Sequence, residues 1–277
     1  MSGPDGQGKA QTGGLERWLI HDQWIVAGAA GLAALLAGAY TVFGVGMQMT
    51  ALEMTRMARP LGEPMAMGPG QGWTAAYALL VFLMWWVMMV AMMIPSAAPT
   101  LLLYTALKKR GPEGARAQAL AGVFLLGYLL AWALFSAVAT GLQWGLTESG
   151  VLNGPMMTLH GKGMAGAILL LAGLYQFTPL KRACLRHCRA PAQFLAQHHR
   201  PGAGGALRLG LRHGAYCLGC CWALMALLFV GGIMNLWWIV GLALWVIVEK
   251  ALPAGERLAQ LGGAGLAIWG LWLIFAA

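Results

Sequence analysis

Residues 214–248 read GAYCLGCCWALMALLFVGGIMNLWWIVGLALWVIV, 35 positions without a charged side chain. A helix crosses the hydrocarbon core of a bilayer in about 20 residues, so this run is too long for one crossing. Gly231, Gly232 and Asn235 lie near its centre and offer a turn, which divides the run into two spans. The rest of the chain has the same character. Of its 277 residues, 59% are hydrophobic and 10% charged, against roughly 45–50% and 25% in a soluble domain. That excludes a soluble globule and predicts an all-α polytopic transmembrane bundle.

Uncharged stretches of spanning length predict about seven spans, near 24–45, 77–106, 118–140, 159–178, 214–233, 236–250 and 260–277. The fourth is the shortest, with its apolar stretch running only from Met164 to Phe177 behind His160 and Lys162. Lys and Arg gather in the loops that stay inside. Lys9, Arg17, Lys108, Lys109, Arg110, Arg116, Lys181, Arg182, Arg186, Arg189, Arg200, Arg208, Arg212, Lys250 and Arg257 fall on one side, 15 of the 18 basic residues. This places the N-terminus inside and the C-terminus outside. The chain then reads as a polar cytoplasmic tail over 1–20 and one transmembrane domain over 21–277. That domain includes a Met-rich outer loop, 46–72, and a basic inner loop, 179–213. The first apolar run is long enough to remain as a span rather than be cleaved as a signal. Basic residues scattered between uncharged runs, rather than gathered on one soluble face, argue against nucleic-acid binding.

All five cysteines lie between Cys184 and Cys221, at the predicted inner ends of the fourth and fifth spans. The cytoplasm is reducing, so clustered thiols there suit metal ligation, redox chemistry or packing better than disulfides. On a helix, Cys184 and Cys188 share a face, with His187 beside them. His213, Cys217, Cys221 and Met225 follow one another at four-residue steps, and Cys220 stands three residues from Cys217. Buried cysteine also serves as a small hydrophobe, but packing alone does not account for five thiols confined to one end.

Methionine is the second signal, with 17 in the chain where usual composition gives roughly six or seven. The outer loop carries Met47, Met49, Met54, Met57, Met65 and Met67 among polar residues. Thioethers in that setting are poor core filler and select Cu(I) over harder cations. The second span adds Met84, Met88 and Met92 at helical spacing, with Met89 and Met93 on the adjacent stripe, before Pro95 and Pro99 kink or interrupt it. Met156, His160 and Met164 form another four-step row. Glu249 beside Lys250 reads as an interfacial ion pair, and His198 and His199 as solvated. The chain has no phosphate-binding glycine loop, no dinucleotide fingerprint and no Ser/His/Asp constellation, so catalysis of its own is not indicated.

Three motifs carry a family likeness: MMIPSAAP at 92–99, YQFTPLKRACLRHCRAP at 175–191 and RHGAYCLGCCWALM at 212–225. They resemble the bacterial family described as predicted metal-binding integral membrane proteins, which includes the membrane copper-delivery proteins associated with tyrosinase maturation. The likeness covers about residues 75–255. It implies a multi-pass protein of the bacterial inner membrane that supplies copper to a copper-dependent enzyme or otherwise handles metal.

The leading expectation is Cu(I) handling, with transfer to an enzyme, to a periplasmic metallochaperone or across the membrane. Met47, Met49, Met54, Met57, Met84, Met88, Met92 and His160 serve the outer side, and Cys184, His187, Cys188, His213, Cys217, Cys220 and Cys221 the inner side. A second reading places a structural Zn or an iron–sulfur centre on Cys184, Cys188, Cys217 and Cys220 or Cys221. A third is an assembly subunit that binds no metal.

Overall fold

The computed structural model describes residues 6–44, 49–58, 61, 72–153, 158–159 and 161–276. Among these the chain is helical almost throughout. The helices are α1 (Gly6–Phe43), α2 (Ala51–Arg56), α3 (Ala75–Lys109), α4 (Ala117–Glu148), α5 (Lys162–Tyr175), α6 (Pro179–Arg189), α7 (Pro191–His198), α8 (Gly202–Ala226), α9 (Leu228–Gly231), α10 (Leu236–Ala251) and α11 (Gly255–Phe275). One two-residue antiparallel pair, β1 (Leu152–Asn153) with β2 (Thr158–Leu159), lies between α4 and α5.

The uncharged run divides at the turn residues. Gly232 takes φ 97°, in the left-handed region that glycine enters without a Cβ clash. Asn235 then caps α10, accepting from the Trp237 N–H at 3.1 Å and donating to the Gly231 carbonyl at 3.0 Å. α3 begins on a Thr74 cap that accepts from the Tyr77 N–H at 3.2 Å, and it continues through Pro95 and Pro99 to Lys109. The prolines therefore do not interrupt it. Each removes one backbone donor, a loss that a helix packed on several sides tolerates.

Five helical segments are long and apolar enough to cross a membrane: Trp24–Phe43, Ala75–Lys109, Gly114–Glu148, Gly202–Gly231 and Gly255–Phe275. The fourth expected span is instead the 14-residue α5, followed after a 63° bend by α6, and α10 has 16 residues. The segment expected as a basic inner loop is also not a loop, since residues 179–213 form α6, α7 and the first half of α8. The reason is visible in α6. Thr178 caps it, accepting from the Lys181 N–H at 3.2 Å, and Pro179 fits its first turn. Lys181, Cys184 and Leu185 then make a buried stripe at three- and four-residue steps while Arg182 and Arg186 face out.

Glycines set the closest helix contacts. A Cβ on Gly166 of α5 would stand 2.6 Å from the Gly270 carbonyl oxygen of α11, and one on Gly173 would stand 2.6 Å from that of Gly263. Small residues let helix backbones approach in this way inside a membrane.

The connections gather at two ends. At one, Glu113 accepts from Lys108 and from the Gly202 N–H at 2.7 Å, and Arg189 donates to the Leu252 and Pro253 carbonyls at 2.8 and 2.5 Å. The hydrogen bond from Lys108, with that from the Gly202 N–H, holds the Glu113 carboxyl below the ordinary carboxylate range. At the other end, the Leu236 N–H donates to Thr55 Oγ1 at 3.0 Å, fixing α2 against the start of α10. α2 has its own capping box. The Glu53 carboxylate accepts from the Thr50 N–H at 2.9 Å and the Glu53 N–H donates to Thr50 Oγ1 at 3.2 Å, and the backbone bond holds that carboxyl low.

Candidate metal site

The basic ends of α6, α8 and α10 converge with the middle of α3 and α4, and sulfur lies at the meeting point. Cys217 is fully buried. Lys250 Nζ of α10 lies 3.0 Å from its Sγ and 2.9 Å from Ser96 Oγ of α3. Tyr128 Oη of α4 stands 3.1 Å from the same sulfur and 3.2 Å from the Met93 carbonyl. Cys188 of α6 packs against the buried cluster that holds Cys217, Cys220 and Cys221. The Cys220 and Cys221 thiols donate back to the Cys217 carbonyl at 3.0 and 2.9 Å, as residues three and four steps along a helix can. All five cysteines are free.

The expected residues divide into those that converge and those that do not. Cys188, Cys217, Cys220 and Cys221 come together. Cys184, one turn before Cys188, sits against Gly219, where an added Cβ would stand 2.6 Å from its Sγ. His187 turns away. Its ring stacks on Tyr216, with centroids 4.1 Å apart, and its Nδ1 lies 2.8 Å from the Ala183 carbonyl. His213 is buried between the rings of Phe124, Tyr128 and Phe194, and its Nδ1 has no hydrogen-bond partner among the described residues. Among the described residues, no group of three or more His, Cys, Asp or Glu side chains is arranged to hold a metal ion.

Methionine sulfur lines the core that the cysteines join. Met84, Met88, Met89, Met92, Met93, Met225 and Met234 are buried in one apolar cluster with Cys184, Cys217, Cys220 and Cys221, and Cys188 packs against it. Met54 belongs to the same cluster, only 2% exposed. This corrects the picture of an exposed outer row, because α2 has a buried face and Met54 is on it, while Met49 and Met57 are half-buried. Met47, Met65, Met67, Met156, Met157 and His160 lie outside the described residues.

Lys181 and Lys250 have partners other than those their places in the sequence suggest. Glu249 does not pair with Lys250, because consecutive helical residues do not face each other. Its carboxylate accepts instead from Lys181 Nζ at 2.7 Å and from Trp245 Nε1 at 2.6 Å, and Lys181 also donates to Gln176. Lys181 and Glu249 are each about 1% exposed. Their pair ties α6, which carries Cys188, to α10, which carries Lys250. The one signal available was the placement of Lys181 on the apolar stripe of α6.

Residues 82–273 match the family model described as PpoB2, copper chaperone. The match takes in every cysteine and Met84, Met88 and Met92, and begins after α2. No curated protein and no solved structure matches the chain significantly.

Proposed function

The chain belongs to the copper chaperone family PpoB2, a membrane protein with a copper-handling role, and from that premise we propose that it carries copper as Cu(I) on sulfur and delivers it to a copper enzyme. Cys188 and Cys217 form the primary two-coordinate site. Cys220 and Cys221, one helical turn from Cys217, are the exchange ligands through which the ion is passed on. Each thiol that binds gives up its proton, and the ion moves by gaining a third sulfur before losing its first. Met84, Met88 and Met92, three steps along one face of α3, offer the route between this site and the end of the bundle that holds Met49, Met54 and Met57.

The observation that carries this reading is the packing of Cys188 from α6 against the buried cluster that holds Cys217, Cys220 and Cys221 of α8 together with the methionines. Soft thiolate and thioether ligands select Cu(I), and neither Met nor Cys in an apolar core suits a hard cation. The proposed setting is the bacterial inner membrane, with about seven crossings counting α5–α6 and α10, and with the basic end and N-terminus inside.

The test is anaerobic competition for Cu(I) between the purified protein and a colorimetric chelator. Wild type is expected to withdraw Cu(I) from the chelator, and Cys188→Ser with Cys217→Ser to lose that capacity. A double variant that binds as wild type does would sink the proposal.

A further inference from the structure

A cavity of about 110 Å³ opens where α7 turns into α8, at the basic end of the bundle, lined by Gln197, His198, His199, Arg200, Arg208 and Arg212, with Gly205 and Leu209 as its floor. Its geometry follows from the helix. Gly205, Arg208, Leu209 and Arg212 recur at three- and four-residue steps along one face of α8, and Arg200 comes from the turn that precedes it. No acidic residue is among them.

Four other cations at this end are engaged within the chain. Lys108 meets Glu113, Lys181 meets Glu249, Arg189 meets two carbonyls, and Lys250 meets Cys217 and Ser96. Arg200, Arg208 and Arg212, like Arg182 and Arg186, make no hydrogen bond or ion pair to a carboxylate or carbonyl among the described residues, but these three also converge on one concavity. Glu113, on the neighbouring loop, is already engaged by Lys108 and the Gly202 N–H. The tendency of basic residues to stay on one side of a membrane explains their presence, but not their convergence on one concavity. Like charges one turn apart, as Arg208 and Arg212 are, destabilise a helix, and with Arg200 brought beside them from the preceding turn an anion bound there relieves that repulsion.

We propose that this concavity is a phosphate site, separate from the sulfur site, and that it takes the headgroup phosphate of an anionic phospholipid. Guanidinium forks match phosphate oxygens two at a time, and His198, His199 and Gln197 share the lining with them. The volume accommodates the five heavy atoms of one phosphate group. The site lies where α8 leaves its apolar length, the level at which basic pockets between membrane helices meet lipid headgroups. A lipid held there clamps the α7–α8 turn, and with it the base of the helix that carries Cys217. Free phosphate has the same group chemistry and is the alternative source.

The experiment uses the full chain in a mild detergent, with native mass spectrometry for retained ligand and thermal unfolding for its effect. Phosphatidylglycerol, phosphatidylcholine and inorganic phosphate are added separately. Wild type is expected to retain phosphatidylglycerol and to unfold at higher temperature with it, with little response to phosphatidylcholine. The variant carrying Arg200→Gln, Arg208→Gln and Arg212→Gln is expected to lose both effects while unfolding in phosphatidylcholine as wild type does. A response of wild type to inorganic phosphate, abolished in the variant, assigns the site to soluble phosphate. Phosphatidylglycerol retained equally by both proteins, or no response of wild type to either anion, overturns the proposal. If the triple variant folds poorly, Arg208→Gln alone gives the same comparison. Cu(I) binding unchanged in these variants keeps the result independent of the sulfur site.

Discussion

Two thiolates and one Cu(I) sum to one negative charge, which a buried site does not hold cheaply without a neighbour of opposite sign. Lys250 stands 3.0 Å from Cys217 Sγ and brings the group to neutrality. Replacing Lys250 with Met removes that charge without adding a donor. By the usual effect of a residue supporting a metal ligand, Cu(I) affinity should fall about 10–100-fold, read by the same chelator competition. An unchanged affinity would remove Lys250 from the site, and Lys250→Arg should recover part of the loss. The thiols themselves could be found from their spacing, since Cys217 and Cys221 share a helical face wherever the helix sits. Lys250 could not. Which face of α10 meets α8 is a tertiary fact, and in sequence the nearest charge to Lys250 was Glu249, which points elsewhere.

At the scale of elements, the buried pair of Lys181 and Glu249 fixes α6 against α10. Removing one partner of such a pair leaves a charge without compensation, whereas removing both is far milder. Lys181→Met should therefore cost about 3–5 kcal/mol of stability, measured by denaturant unfolding in detergent, and adding Glu249→Met should return most of it. Equal losses in the single and double variants would show that the pair is not what holds the two helices. The helices themselves were largely readable. The uncharged run broke at Gly232 and Asn235, where glycine conformation and an asparagine cap act locally. α6 is hidden in the sequence, because its arginines read as solvated charge while the buried stripe of Lys181, Cys184 and Leu185 runs between them. α2 is hidden similarly, since its methionines stand among polar residues, although Thr50 and Glu53 spell a capping box ahead of Met54.

For the whole molecule, the connections between helices gather at two ends. The loop around 113 and the turn at 252 meet the end of α6 and the start of α8 at one end, and α2 meets the start of α10 at the other. Between them runs a core in which Met54, Met84, Met88, Met92 and Met225 share one cluster with the cysteines. The count of crossings was harder to read, because α5 and α10 fall short of full bilayer length and hydropathy alone does not reveal a 63° bend. The central claim is that sulfur from α6 and α8 holds Cu(I). Copper K-edge X-ray absorption on protein loaded anaerobically with one equivalent of Cu(I) tests it most directly. The account predicts a first shell of two or three sulfur neighbours that is lost when Cys188 and Cys217 are both serine. A first shell of nitrogen or oxygen, or a sulfur shell that survives both substitutions, would contradict it.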